Sequence, residues 1–193
     1  MRNWSSIPSP QVRRMAAEAV SRGDFGLAEA ALREEIRRSP SDFEVHLGLV
    51  NALKARGFRD ARLEAARRAA GVAPKDARAH IALASALAAC GHLEAARSSY
   101  EFARTLAPRD ARVLTALGEI LERMRRVDEA RDACAKAIEI DPAFGPAYNL
   151  LGHLDAVAGD DSAAEKWLDR AIRASTQPEV KSTAWHRLGE IRE

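Results

Sequence analysis

Aromatic residues make up only 5% of this 193-residue chain, while alanine is abundant. A sheet-rich fold draws on aromatic and β-branched side chains, so this balance points to close-packed helices. Cysteine is almost lacking. Cys90 and Cys134 have no metal or redox spacing, which leaves no disulfide framework and favours a reducing compartment, the cytoplasm. A surplus of one charge is missing too: 30 basic and 28 acidic residues give a net charge of +2, without the basic excess of a nucleic-acid surface. Long apolar runs are absent. The most apolar stretch, Ala79 to Cys90, is interrupted by His80 and Ser85 and is too short to span a bilayer. Residues 1–10 carry no apolar run of signal-peptide length, and residues 1–8 read as an irregular lead-in. There Trp4 either folds back on the first helix or belongs to a loose tail. Also missing are a Gly-rich phosphate loop, a nucleophile elbow and a zinc-protease His pair, so no catalysis, cofactor or metal is expected.

Proline supplies the order. Pro40, Pro74, Pro108 and Pro142 are evenly spaced, and the interval falls in the range that means stacked repeats. Proline cannot continue a helix, because it lacks the N–H and its ring clashes with the preceding turn. After the first three prolines come Asp42, Asp76 and Asp110, each able to cap a following helix. The fourth has no such Asp, and Gly145-Pro146 is expected to open that helix instead. Glycine marks a second slot at Gly23, Gly57, Gly91 and Gly159, with Arg125 in the remaining place. It tolerates the left-handed conformation that ends a helix. These marks divide the chain into units 9–42, 43–76, 77–110, 111–144 and 145–178, each of two helices of about thirteen residues. Residues 179–193 form a terminal capping helix or the start of a sixth unit.

Packing positions recur with the same period. Met15, Leu49, Leu83, Leu117 and Leu151 form one first-helix series, with Ala16, Val50, Ala84, Gly118 and Gly152 one residue on. Spacings of three, four and seven put these on one helical face. In the second helices Ala28, Ala96, Ala130 and Ala164 share a slot, and small residues there let two helices approach closely. Arg62 breaks that slot and is expected to snorkel outward, with its helix shifted so that Ala61 or Ala65 faces in. Glu35 breaks a second small slot, where looser packing is expected. Asp155 replaces a large apolar residue and must be exposed or paired. His46 and His80 share one slot in successive units, and His153 and His186 could approach across neighbouring first helices.

With Leu114-x-x-Leu117-Gly118, Ala130 and Pro142, and with Tyr148-x-x-Leu151-Gly152 and Ala164, the pattern resembles the tetratricopeptide repeat, a 34-residue helix–turn–helix. Trp185-x-x-Leu188-Gly189 is similar to the same motif displaced by three residues, with Pro178 ending the unit before it. The resemblance implies an all-α fold, a right-handed α-solenoid, with a partner bound on the concave stripe of the first helices. Carried over, that stripe is Glu44, Leu47, Asn51 and Lys54, then Arg78, Ile81, Ser85 and Ala88. It continues with Arg112, Thr115, Glu119 and Glu122, then Pro146, Asn149, His153 and Ala156. Leu47, Ile81 and Ala88 would form an apolar middle, edged by Lys54, Arg78 and Arg112, suited to a peptide or helix with acidic flanks. Asn51 and Arg112 suit the clamp that holds acidic chaperone tails, but Leu47, Ala82 and Ala116 do not, so that clamp is rejected. The expected function is a non-catalytic protein-interaction scaffold or adaptor. The alternative is the interaction module of a larger enzyme, for example a transferase, with its catalytic domain beyond residue 193.

Overall fold

The computed structural model describes residue 4 and residues 6–192. Residues 1–3 and 5 of the lead-in lie outside the described residues, as does Glu193. The described residues form eleven α-helices and no strand. First helices are α1 (Ser9–Ser21), α3 (Phe43–Ala55), α5 (Ala77–Ala89), α7 (Ala111–Arg123) and α9 (Gly145–Val157). Second helices are α2 (Phe25–Arg38), α4 (Arg59–Val72), α6 (Leu93–Leu106), α8 (Val127–Ile140) and α10 (Asp161–Ala174), and α11 (Pro178–Arg192) follows. The fold is an all-α repeat solenoid. None of these helices is long and apolar enough to cross a membrane.

Local chemistry sets the helix ends. The Asp42 carboxylate accepts from Glu44 N, Asp76 from Arg78 N and Asp110 from Arg112 N, so each satisfies a backbone donor that the first turn leaves open. α9 opens on Gly145-Pro146 without a side-chain cap. The turns between paired helices hold a left-handed residue, with φ from 74° to 83° at Gly23, Gly57, Gly91 and Gly159. Arg125 takes that conformation at φ 63°, which costs a residue with a Cβ about 1–2 kcal/mol.

Residues 1–99 and residues 100–193 form two compact units. In the first, α1 packs on α2, α2 on α3, α3 on α4 and α4 on α5. Its small-residue slots hold Ala28 and Ala69, both fully buried. Charges are buried beside them. Arg62 does not snorkel outward: it is 7% exposed and donates to Ser85 Oγ at 2.6 Å. A hydroxyl on α5 gives the guanidinium a partner inside, and α4 keeps its register. Nor is the site of Glu35 loose. Glu35 is 1% exposed and accepts from Arg13 Nε at 2.8 Å, while the same guanidinium pairs with Asp42. The carbonyls of Trp4 and Ile7 accept from Arg38 at 2.5 and 2.7 Å, which ties this part of the lead-in to α2.

In the second unit α7, α8, α9, α10 and α11 pack in sequence, and the first helices α7 and α9 also touch, as do α9 and α11. Ala130, Ala137, Ala164 and Ala171 are fully buried. Opposite them the glycines allow close approach. A Cβ added at Gly152 would stand 2.8 Å from Leu168 Cγ and 3.3 Å from the Ala164 carbonyl oxygen. Asp155 is buried and paired with Arg131 of α8. Pro178 does not end a unit; it is the first residue of α11, where its missing N–H costs nothing. The three-residue displacement does not carry into space either. Ala184 and Leu188 are buried, one repeat period after the buried Leu150 and Leu154, whereas Trp185 is 58% exposed and Gly189 faces open space.

Candidate functional site

The first-helix stripe divides by environment. In the first unit Glu44, Asn51, Lys54 and Arg78 are exposed, Leu47, Ile81 and Ser85 are half-buried, and Ala88 is buried. In the second, Arg112 and Glu119 are exposed, Glu122, Pro146, His153 and Ala156 are half-buried, and Thr115 and Asn149 are buried. Ser85 is already engaged by Arg62, and Ala88 offers no surface.

Arg78 and Arg112 each fold back onto the aspartate that caps their own helix. Arg78 Nη2 lies 2.8 Å from Asp76 and 2.8 Å from Glu44, and its guanidinium stacks over the Phe43 ring at 4.9 Å. Arg112 Nη2 lies 2.7 Å from Asp110. Hydrogen bonds from these guanidiniums hold the Asp76 and Asp110 carboxyls below the usual range. Each carboxylate thus serves as a cap and as a counter-ion, so an acidic partner must compete with an existing pair.

In the second unit, α7, α9 and α11 line a cavity of about 450 Å³. α7 contributes Glu119, Glu122 and Arg123; α9 contributes Pro146, Asn149, Leu150 and His153. The third wall is Glu179, Val180, Thr183 and Arg187 of α11, which the carried-over stripe did not contain. A signal for it was present: Val180, Thr183 and Arg187 follow Pro146, Asn149 and His153 by one repeat period. The displaced Trp185 motif masked that continuation.

Asn149 joins two of the walls. Its Nδ2 donates to the Val180 carbonyl at 3.0 Å, and its own carbonyl accepts from Arg187 Nη1 at 2.6 Å. Among the buried acceptors without a hydrogen-bond partner are Asn149 Oδ1 and, in the same repeat slot of α7, Thr115 Oγ1. Partial desolvation pushes the Glu119 carboxyl up, although the residue keeps contact with solvent, and it pulls the Arg187 guanidinium down. His153 Nε2 approaches Glu122 at 3.7 Å and His186 pairs with Glu190 of its own helix, so these two histidines serve separate carboxylates.

Other polar groups shape the scaffold. His46 and His80 bond through Nε2 to the carbonyls of Pro40 and Pro74 at 2.7 and 2.8 Å, and the Tyr148 hydroxyl donates to Pro142 at 3.2 Å. One repeat slot therefore clasps the loop proline's carbonyl three times. Cys134 is buried, and burial pushes its thiol up to about 12, away from nucleophile chemistry. Among the described residues no group of three His, Cys, Asp or Glu could hold a metal ion.

Two tetratricopeptide repeat family models match the sequence, one over residues 13–57 and 81–143, the other over residues 121–184. No curated protein sequence matches. Among solved structures, TTC0263, a thermophilic TPR protein in Thermus thermophilus, is similar at 17% identity and TM-score 0.78, over 94% of this chain and 99% of that one. MamA from Desulfovibrio magneticus RS-1 is similar at 20% identity and TM-score 0.74, over 86% and 94%. YrrB, described as a TPR protein with an unusual peptide-binding site, is similar at 20% identity and TM-score 0.66, over 93% and 91%. At these identities the likeness establishes the fold. With family models covering more than half of its residues, the chain belongs to the tetratricopeptide repeat family.

Proposed function

We propose that this chain is a non-catalytic interaction scaffold that holds a peptide segment or partner helix against its first helices. The observation that carries this reading is the cavity between α7, α9 and α11, where one face of three successive first helices leaves space and exposes side chains of both charges. The description of YrrB, a structural neighbour, as peptide-binding supports it. A protein partner suits the balanced charge better than nucleic acid does. The free cysteines Cys90 and Cys134 suit the cytoplasm.

In the first unit the half-buried Leu47 and Ile81 form the apolar surface of the same reading, with Asn51 able to bond a peptide backbone. Acidic flanks on the partner would draw on Arg78 and Arg112. Arg78→Gln and Arg112→Gln are the cleaner tests, because Arg78→Glu would set a third carboxylate beside Asp76 and Glu44. The deciding experiment places a photo-crosslinking residue at Leu47, at His153 or at Lys136 on α8, then identifies captured proteins by mass spectrometry. The reading expects one partner captured from Leu47 or His153 and lost on Leu47→Asp. Capture from Lys136 alone would move the working surface to the second helices.

A further inference from the structure

We propose that the cavity between α7, α9 and α11 recognises a basic side chain of the partner, an arginine or lysine, with Glu119 as its counter-ion. This deepens the reading above and rests on it. The first ground is an unmatched acceptor. Asn149 lines the cavity, is 6% exposed and keeps Oδ1 without a hydrogen-bond partner. Buried polar atoms are rarely left unmatched, and a donor-rich group is what this oxygen lacks.

Charge is the second ground. Glu119 forms no ion pair within 4 Å among the described residues, although it sits where its carboxylate is partly desolvated. Glu122 and Glu179 stand on the same cavity, so three carboxylates face two guanidiniums, those of Arg123 and Arg187. Arg187 already donates to the Asn149 carbonyl, and an anion approaching it would also meet these carboxylates. A cation meets the opposite balance: it neutralises Glu119 and supplies donors to the oxygens around it. The volume, about 450 Å³, accommodates a long side chain together with the backbone that carries it.

The test uses the full chain, isotopically labelled, and four acetylated and amidated alanine pentapeptides with arginine, lysine, glutamate or norleucine at the centre. The arginine and lysine peptides should shift the amide signals of Glu119, Asn149 and Thr183. Glu119→Gln should weaken the arginine peptide about tenfold, the loss expected for one charge-assisted hydrogen bond. Circular dichroism checks that the variant is folded. If the glutamate peptide moves those amides and the arginine peptide does not, the cavity is a binding surface of the opposite charge preference and the proposal is overturned, while the scaffold reading stands. Equal binding of norleucine also overturns it, since the cation would then contribute nothing. If no peptide moves those amides and the shifts gather on α8 and α10, the proposal and the choice of face both fail.

Discussion

The two compact units solve the same packing problem with different residues. Each must bring first and second helices close together, and each uses a slot of small side chains to do so. In the second unit that slot is intact: Ala130 and Ala164 are fully buried opposite Gly118 and Gly152, and the glycine backbone lies against the partner helix. In the first unit Arg62 occupies the slot opposite Val50, and Glu35 fills a later small slot. There polar partners, Ser85 for Arg62 and Arg13 for Glu35, compensate for the misfit residues. A repeat therefore tolerates a charge in a small-residue slot when a neighbouring helix supplies its counterpart. The cost is a buried polar group whose removal leaves its partner stranded.

Substitutions separate these two solutions, and the largest effect is expected in the aliphatic core of the second unit. Leu117 is 4% exposed, and Leu117→Ala should destabilise the chain by about 2–5 kcal/mol, read from the midpoint of chemical denaturation. An unchanged midpoint would mean that α7 does not pack as described. Next comes the charge compensation of the first unit. Arg13→Ala leaves the Glu35 carboxylate buried without its ion partner. The loss should be about 1–3 kcal/mol, below that of a fully buried pair because the Arg13 side chain is 46% exposed. Glu35→Leu in the same background should recover most of it; if it recovers none, the pair is not what holds this slot.

Smaller effects concern helix ends and the cavity. Asp110→Ala should cost about 1 kcal/mol at neutral pH through the lost cap. The folded Asp110 carboxyl titrates lower than its unfolded counterpart. Its contribution is therefore complete above the ordinary value of 3.8 and is lost as pH falls through the lower folded one, so wild type and variant should converge in acid. Glu119 has the reverse sign: its raised carboxyl penalises the folded state once ionised. Glu119→Gln should remove a loss of stability that otherwise develops as pH rises through the carboxyl range, and parallel stability–pH curves would contradict that. The smallest expected change is a gain. Arg125→Gly relieves the left-handed strain at φ 63°, offset by the greater chain entropy of glycine, and should stabilise by about 0.5–1 kcal/mol. Arg126→Gly next to it, which lacks that strain, is the control.

Much of the architecture was legible in one dimension because the signals that set it are local. A proline stops a helix by its own covalent structure, and an aspartate two residues later caps the next one through a backbone N–H within three residues. The left-handed slot was legible even at Arg125, because the period placed it there without a glycine. Of the candidate stripe, the order of residues along each helix could be read, but not their burial. Thr115, Asn149 and Ala88 occupy stripe positions yet are buried, since exposure is set by how separate helices pack and not by position along one of them.

By itself the sequence determined the repeat period, the stops and caps between the first four units, the small-residue slots and hence membership of the tetratricopeptide repeat family. Each follows from chemistry within one helical turn or from recurrence at one fixed interval. The tertiary structure alone decided the rest. Arg62 found Ser85 across 23 residues of chain, and Arg187 reached the Asn149 carbonyl across 38. α11 kept the register of α9 although its tryptophan motif pointed to a different one, because Ala184 and Leu188 were the side chains that fitted the buried face. Those outcomes depend on which groups from separate helices meet, and on whether a buried charge or donor finds its counterpart there.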